Sequence, residues 1–261
     1  MSPSWRERVR IALSLKRVAL VRLSRGWKPA VSDRKIVQCG PALNGAAWGP
    51  AVEALREVLA HPNMRAAEAT IVLSNHFVRY LLIPWNPSLT TEEEELAFAR
   101  MRFVKVYGEA AHGWVLKISG ATPGTAQVAS AIERPLLDAV TIALGNSPLR
   151  LRSVQPGLMA VCNTWRATIA RDAWIAMTEP GRLLLGLLRA GQWQSLRGRP
   201  LNGEASALAE VLEQERLLLG IEPGDEKIYV HEDADSSLDV EGLKVERLSG
   251  RGLGAGPAGA W

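Results

Sequence analysis

The pattern of hydrophobic residues switches between a strand period of two and a helical period, and it does so twice in the same order along the chain. Each half has a meander of short strands, then helices, then further strands. Such runs predict an α/β or α+β architecture, and we expect the α/β class with mixed sheets flanked by helices. The repeat is one of architecture, not of visible sequence identity, and its predicted boundary is "LGNSPLR" at 144–150. We therefore expect a first lobe over 1–147 and a second lobe over 148–249.

The C-terminal tail, "GRGLGAGPAGAW" at 250–261, has too few large apolar residues to hold a core. Its composition predicts a disordered segment or a linker.

Positive charge is concentrated at the start of the chain, although the whole sequence carries a formal net charge of only +4. Residues 1–35 hold ten Lys and Arg against Glu7 and Asp33. A basic end fits a solvated strand edge that resists aggregation, an anionic membrane surface, or nucleic acid. The pI of 9.3 and the nine Trp residues favour a nucleic-acid-binding module. Because the charge lies at one end only, however, nucleic acid is not the expected partner.

The compartment can be inferred from segments that the sequence lacks. No apolar run approaches the roughly 20 residues of a membrane-spanning helix, and the basic start is not followed by the apolar core of a signal peptide. Cys39 and Cys162 have apolar neighbours and no metal-ligand spacing, which indicates reduced thiols. We therefore expect a cytoplasmic protein.

Motifs of the common catalytic sites are absent from the sequence, including Walker A, GxSxG, CxxC and HExxH. The four His residues have no partner at ligand spacing, so no metal site is expected. "TEEEE" at 91–95 reads as the acidic start of a helix, because adjacent Glu side chains fan around a helix axis and do not converge on Mg²⁺. Thr90 or Thr91 is the expected cap of that helix, and Gly108 its end.

The segment "TIVLSNHFVRYLLIPW" at 70–85 places polar residues among aliphatic ones and predicts a hairpin that ends at Trp85. His76 is either a general base or a turn residue with a main-chain partner. Arg79 should pair with a carboxylate or point out of the sheet. Trp85 either contacts a partner or packs on the next helix. We take His76, Arg79 and Trp85 as candidate partner-binding residues, and no residue as catalytic.

Three segments carry a resemblance to a known family: "IALSLKRVALVRLSRG", "VLSNHFVRYLLIPW" leading into "TTEEEELAFARMRFVKVYG", and "EPGRLLLGLLRAGQW". Together they resemble the PilM-type proteins of type IV pilus assembly and their relatives of mannose-sensitive haemagglutinin pilus biogenesis. They also resemble the cytoplasmic domain of the type II secretion L protein. The likeness covers about residues 9–248 and is most specific in "LSNHFVRYLLIPW".

This resemblance implies a bilobal actin-like (ribonuclease H-like) fold in a cytoplasmic protein peripheral to the inner membrane. It implies a scaffold that docks the short cytoplasmic segment of a PilN-like membrane protein and links it to the assembly ATPase. We expect docking in a groove between strands and helices of one lobe, by strand addition or as a helix. Contact of the basic N-terminal strands with anionic lipid and a homo-oligomeric state are further expectations.

PilM-type proteins can hold a nucleotide between the lobes, but the segments of this chain that match their phosphate loops depart from the pattern. Ser14 stands where the resemblance implies Asp, and both glycines of that loop are absent. In the second loop Glu179 replaces Asp, Pro180 removes an N–H donor, and Arg182 and Leu183 replace small hydroxyl residues. Because such glycines let backbone N–H groups approach phosphate, we expect no cofactor and no catalysis.

Two enzymatic alternatives are weighed against the scaffold. An actin-like ATPase with an atypical nucleotide site would need Glu179 as its Mg²⁺ ligand. A ribonuclease H-type nuclease is excluded, because that chemistry begins with an Asp on the first strand and the first strand here has no acidic residue.

Overall fold

The computed structural model describes residues 7–24, 30–42, 45–62, 64–120, 122–201, 208–233, 236 and 238–248. The tail at 250–261, for which disorder was expected, lies outside these residues. So do residues 1–6 and 25–29 of the basic N-terminal region.

The first sheet has five strands: β1 (Arg8–Leu13), β2 (Arg17–Leu23), β3 (Val31–Gln38), β4 (Ala67–Leu73) and β8 (Leu149–Pro156). Their order is β3-β2-β1-β4-β8, with β1 to β3 as an antiparallel meander and β4 parallel to both β1 and β8. Two helices, α1 (Gly49–Leu59) and α3 (Arg134–Gly145), cover one face. Val9, Ile11 and Leu13 alternate along β1 and are buried in the core that these helices share.

A smaller sheet has three strands: β5 (Val78–Ile83), β6 (Trp114–Ile118) and β7 (Gln127–Glu133). The order is β5-β7-β6, and both pairings are antiparallel. The helix α2 (Glu92–Tyr107) packs on this sheet through Ala99 and Phe103. Thr91 caps α2 in a capping box with Glu94, and Gly108 ends the helix at a φ of 77°, as expected from the sequence.

The expected hairpin over 70–85 is wrong, because β4 and β5 belong to different sheets. β4 is paired with β1 on one side and with β8 on the other, so neither of its edges is left for β5. The turn at 74–77 instead transfers the chain from the first sheet to the three-stranded sheet.

The second five-stranded sheet contains β9 (Ala173–Glu179), β10 (Arg182–Arg189), β11 (Gln192–Pro200), β12 (Lys227–Glu232) and β13 (Val245–Arg247). Its order is β11-β10-β9-β12-β13, again an antiparallel meander followed by two parallel strands. Both large sheets therefore have the same topology, which agrees with the repeat expected from the sequence. A further helix, α5 (Leu208–Leu219), packs on this sheet through Leu208 and Leu212.

The expected lobe boundary at 147/148 falls just before β8. Because β8 pairs with β4, the first sheet takes its last strand from residues that were assigned to the second lobe. The helix α4 (Gly157–Trp165) follows directly and joins the lobes. Its Leu158 and Met159 are part of the core of the first sheet, whereas Val161 and Trp165 pack against Tyr229 of β12.

One core reaches across both lobes. Met177 and Leu184 of the second sheet pack in the same cluster as Ile11 and Tyr80. No helix within the described ranges is long and apolar enough to cross a membrane.

Candidate functional site

The turn after β1 uses its own polar groups to close itself. Ser14 N and Ser14 Oγ donate to the carbonyl of Arg17 at 3.0 and 2.9 Å, and Arg17 N donates back to Ser14 Oγ at 3.2 Å. A phosphate at this position would have to compete with these bonds. The first turn therefore does not fit a nucleotide phosphate.

The turn between β9 and β10 is a two-residue turn of Pro180 and Gly181. Glu179 and Arg182 pair across it, and Gly181 has a φ of 76°. A turn with Pro first and a left-handed Gly second is tight and gives the sheet a short end, with no loop to surround a ligand. Pro180 also lacks the N–H group with which a phosphate hairpin would bind.

Glu179 instead joins the two lobes. Its Oε2 accepts a hydrogen bond from Ser74 Oγ, and its Oε1 accepts from Asn75 N and Asn75 Nδ2, both at 2.8 Å. The carboxylate that the ATPase alternative needs for Mg²⁺ is thus engaged by three donors from the opposite lobe.

Asn75 is the centre of this junction and is only 1% exposed. Its Oδ1 accepts from Tyr80 Oη at 2.7 Å and from Leu158 N, near the start of α4, at 3.1 Å. Burial raises the pKa of Tyr80 well above its usual value, so its hydroxyl remains a donor. Gly157 leaves the space for this contact, because a Cβ there would lie 3.0 Å from Leu73 O and 3.3 Å from Asn75 Oδ1.

A second bridge between the lobes is the ion pair of Arg17 with Asp233. The two bridges flank a cleft of about 240 Å³, whose wall includes Ser14, Ser74, Glu179 and Asp233. Residues of both bridges therefore form part of the wall of the cleft between the lobes.

The structure places His76 and Arg79 at the edge of this junction. His76 Nε2 lies 3.0 Å from the carbonyl of Pro180. His76 therefore has a main-chain partner, which was one of the two roles expected for it. Burial lowers its pKa more than the nearby Glu179 raises it. Arg79 does not pair with a carboxylate in any contact of the described residues. Its Nη1 donates to the carbonyls of His76 at 2.8 Å and Val78 at 3.4 Å.

Trp85 lies two residues beyond the end of β5 and is 44% exposed. Its role as a partner contact stays a prediction, as do those of His76 and Arg79. Sequence reasoning missed Ser74, Asn75 and Asp233. The sequence could have pointed to Asn75, because a side-chain amide within an apolar run must find hydrogen-bond partners when it is buried.

A groove of about 500 Å³ lies in the first lobe and shares Arg10, Ala160 and Thr164 with the lining of the cleft. Its walls come from β1, β4 and β8 of the first sheet, from β6 and β7 of the small sheet, and from α4. None of His76, Arg79 or Trp85 is part of its lining. Arg8 and Arg10 of the basic N-terminal region line this groove. Arg22, from the same region, pairs with Glu7 at 2.8 Å. All three side chains therefore face other parts of this protein.

The described residues contain neither a grouped set of metal ligands nor a thiol of lowered pKa. No three His, Cys, Asp or Glu side chains in the described part of the chain are grouped to hold a metal ion. Cys39 and Cys162 are free thiols, and burial raises the pKa of Cys162 to about 12. A thiol with such a pKa is a poor nucleophile at neutral pH.

The chain matches no protein-family model, and no curated protein matches its sequence at a significant level. Solved structures nevertheless share its fold. The cytoplasmic domain of EpsL, an inner membrane component of the type II secretion system of Vibrio cholerae, has a TM-score of 0.57 at 12% identity. That match covers 92% of this chain and 88% of the EpsL chain.

Two further structures are similar. A chain of a PilM–PilN type IV pilus biogenesis complex has a TM-score of 0.62 at 17% identity, over 86% of this chain and 81% of its own. A Bacteroides thetaiotaomicron protein with an actin-like ATPase fold and unknown function has a TM-score of 0.59 at 12% identity, over 90% and 84%. The fold is therefore actin-like, and the resemblance inferred from the sequence is confirmed at the level of the fold.

Proposed function

We propose that this chain is a non-catalytic scaffold at the cytoplasmic face of an inner membrane, where it docks a short segment of a membrane protein in a type IV pilus or type II secretion machine. The observation that carries this proposal is the state of Glu179. The acidic group that a nucleotide-bound Mg²⁺ would need is held by Ser74 and Asn75. The fold shared with EpsL and PilM supports the choice of machine.

The groove of the first lobe is the proposed docking site. It lies between two sheets and α4, and it combines exposed polar groups with apolar walls from Val128, Val154 and Met159. A groove of about 500 Å³ accommodates several residues of an extended chain. The occupant is the cytoplasmic segment of a PilN-like membrane protein, which would hold the scaffold at the membrane.

The direct test measures binding of a fluorescent peptide with the sequence of the cytoplasmic segment of the PilN-like membrane protein from the same cell. Ser130 lines the groove, and Ser130→Trp should fill it and abolish the rise in anisotropy. Ser32→Trp is the matched control, because Ser32 is exposed on the edge strand β3 and its only hydroxyl contact given by the structure is a long bond to Arg22 O. Equal binding by both variants would reject the groove as the docking site.

The non-catalytic part of the proposal has a separate test. Calorimetric titration of the full chain with ATP and Mg²⁺ should give no binding at a dissociation constant of about 100 μM or tighter. Binding in that range that Glu179→Ala removes would favour the ATPase with an atypical site instead.

Two partners belong to the same proposal. The assembly ATPase would bind the scaffold outside the groove, and anionic lipid would contact the remaining basic surface, such as Arg34 on β3. Because Arg8 and Arg10 line the groove, vesicle binding should depend on Arg34 and Lys35 more than on Arg8. Co-sedimentation with vesicles that contain phosphatidylglycerol measures this difference.

A further inference from the structure

Cationic side chains outnumber carboxylates among the described residues that line the groove. Four cationic side chains line it, Arg8 and Arg10 from β1, Lys117 from β6 and Arg152 from β8, and Glu68 is the one carboxylate among the lining residues of the described chain. Glu68 is already engaged, because its Oε2 accepts from Arg152 Nη1 at 3.2 Å. A pocket lined in this way carries a net positive potential and attracts anionic groups.

Two of these cations, Arg8 and Arg10, lie close enough to repel each other. Arg8 and Arg10 are two positions apart on β1, where the buried residues Val9 and Ile11 occupy the other face, so both guanidinium groups lie on the groove side. Arg8 Nε is buried and has no hydrogen-bond partner. Burial, and then the charge of Arg8, lower the pKa of Arg10. The two guanidinium groups therefore repel each other, and a bound anion would reduce this repulsion.

The remaining lining defines the kind of anion. Val128, Val154 and Met159 supply apolar surface beside the cations, and Ser130 and Gln155 supply polar groups. A free inorganic anion would use the cations only. An extended peptide would use all three kinds of surface, with carboxylates toward β1 and apolar side chains toward β7, β8 and α4.

We propose that the groove selects an extended peptide segment with Asp or Glu side chains that bind Arg8 and Lys117, flanked by apolar residues. This inference rests on the proposed docking function and specifies the partner's chemistry. A carboxylate in this position would supply the hydrogen-bond acceptor that Arg8 Nε lacks and would relieve the repulsion between Arg8 and Arg10.

A peptide selection tests this preference without a partner of known sequence. Random 12-residue peptides displayed on phage are selected on the full chain and counter-selected on Ser130→Trp. Peptides that survive are retested on Asn163→Trp, which fills the groove from α4 and covers the case in which the first variant does not fold. Peptides that bind the wild type and neither variant are the groove-dependent set.

Each outcome decides a different claim. A groove-dependent set enriched about threefold or more in Asp and Glu over the unselected library supports the inference. A groove-dependent set with neutral or basic sequences overturns the acidic preference and leaves the docking function in place. Failure to obtain any groove-dependent peptide overturns both.

A second readout separates charge recognition from structure. For the tightest selected peptide, synthesised with an uncharged fluorophore, Arg8→Gln should weaken binding about tenfold, the loss of one charge-assisted hydrogen bond. Arg34→Gln, an exposed Arg on the edge strand β3, should leave affinity unchanged. Arg8→Gln should also leave the urea midpoint of the free protein unchanged or raised, because it removes the repulsion with Arg10. A lowered midpoint with unchanged affinity would assign Arg8 a structural role and contradict the proposal.

Discussion

Glu179 Oε1 accepts two hydrogen bonds from Asn75, one from its main-chain nitrogen and one from Nδ2, each at 2.8 Å. The two residues are in different lobes. Because Asn75 also accepts from Tyr80 and from Leu158 N, one buried amide sets the relative position of the three-stranded sheet, the start of α4 and the second large sheet.

Removal of the Asn75 side chain should therefore be costly. We expect Asn75→Ala to lower the free energy of unfolding by about 3 kcal/mol, because buried donors on Tyr80 and Leu158 lose their acceptor. Urea denaturation followed by circular dichroism measures the change. Asn86→Ala is the control, since Asn86 makes a local bond to Ser88 N at the surface. A similar loss of unfolding free energy in both variants would show that the hydrogen bonds of Asn75 stabilise the fold no more than a local surface bond does.

Stability should fall in mild acid because of His76. Its pKa in the folded protein lies below the ordinary 6.5, chiefly through burial, so the unfolded chain binds the proton more readily. The stabilising contribution is complete above about pH 6.5 and is lost as the pH falls through the lower, folded-state pKa. The drop in urea midpoint from pH 7 to pH 5 should be smaller in His76→Gln. His112→Gln, at an exposed position, should retain the full drop.

The Arg17–Asp233 ion pair should contribute measurably, because both side chains are largely shielded, at 19% and 24% exposure. A double-mutant cycle of Arg17→Ala and Asp233→Ala should give a coupling of about 1 kcal/mol at low salt. The cycle is needed because both residues make other interactions. Additive effects of the two substitutions would mean that the pair does not link the lobes energetically.

Alanine substitution of two glycines at helix ends should change the free energy of unfolding in opposite directions. Gly157 lies at the start of α4, where a Cβ would be 3.0 Å from Leu73 O, so Gly157→Ala should lower the free energy of unfolding by about 1 to 2 kcal/mol. Gly145 ends α3 with no atom within 4 Å of such a Cβ. Gly145→Ala should raise the free energy of unfolding by about 0.5 kcal/mol. Thermal melts of the two variants give both signs, and a stabilised Gly157→Ala would contradict the tight contact.

Local pattern was sufficient to predict most helices and strands. The cap at Thr91 and the hairpin of β1 and β2 depend on neighbours in sequence, and both are observed. Strand partners depend on distant segments. Nothing within 70–85 distinguishes a hairpin from a crossover between two sheets, because both use two apolar runs around a polar turn.

The candidate site was harder to predict for the same reason. The sequence identified Glu179 and His76 as notable, but their partners come from the opposite lobe. The Arg17–Asp233 pair spans 216 positions of the chain and has no local signature. The groove also has no motif, since its walls come from five strands and a helix that are adjacent only after folding.

The position of β8 determines how much of the chain must be synthesised before the first sheet can be completed. β4 needs β8 on its outer edge, yet β5, α2, β6, β7 and α3 are all synthesised between them. On the ribosome, the small sheet therefore emerges while the first sheet still has an open edge at β4. The first sheet is completed only when Pro156 has left the exit tunnel, and α4 follows at once. The first sheet therefore cannot be completed until the chain has passed the boundary expected at 147/148.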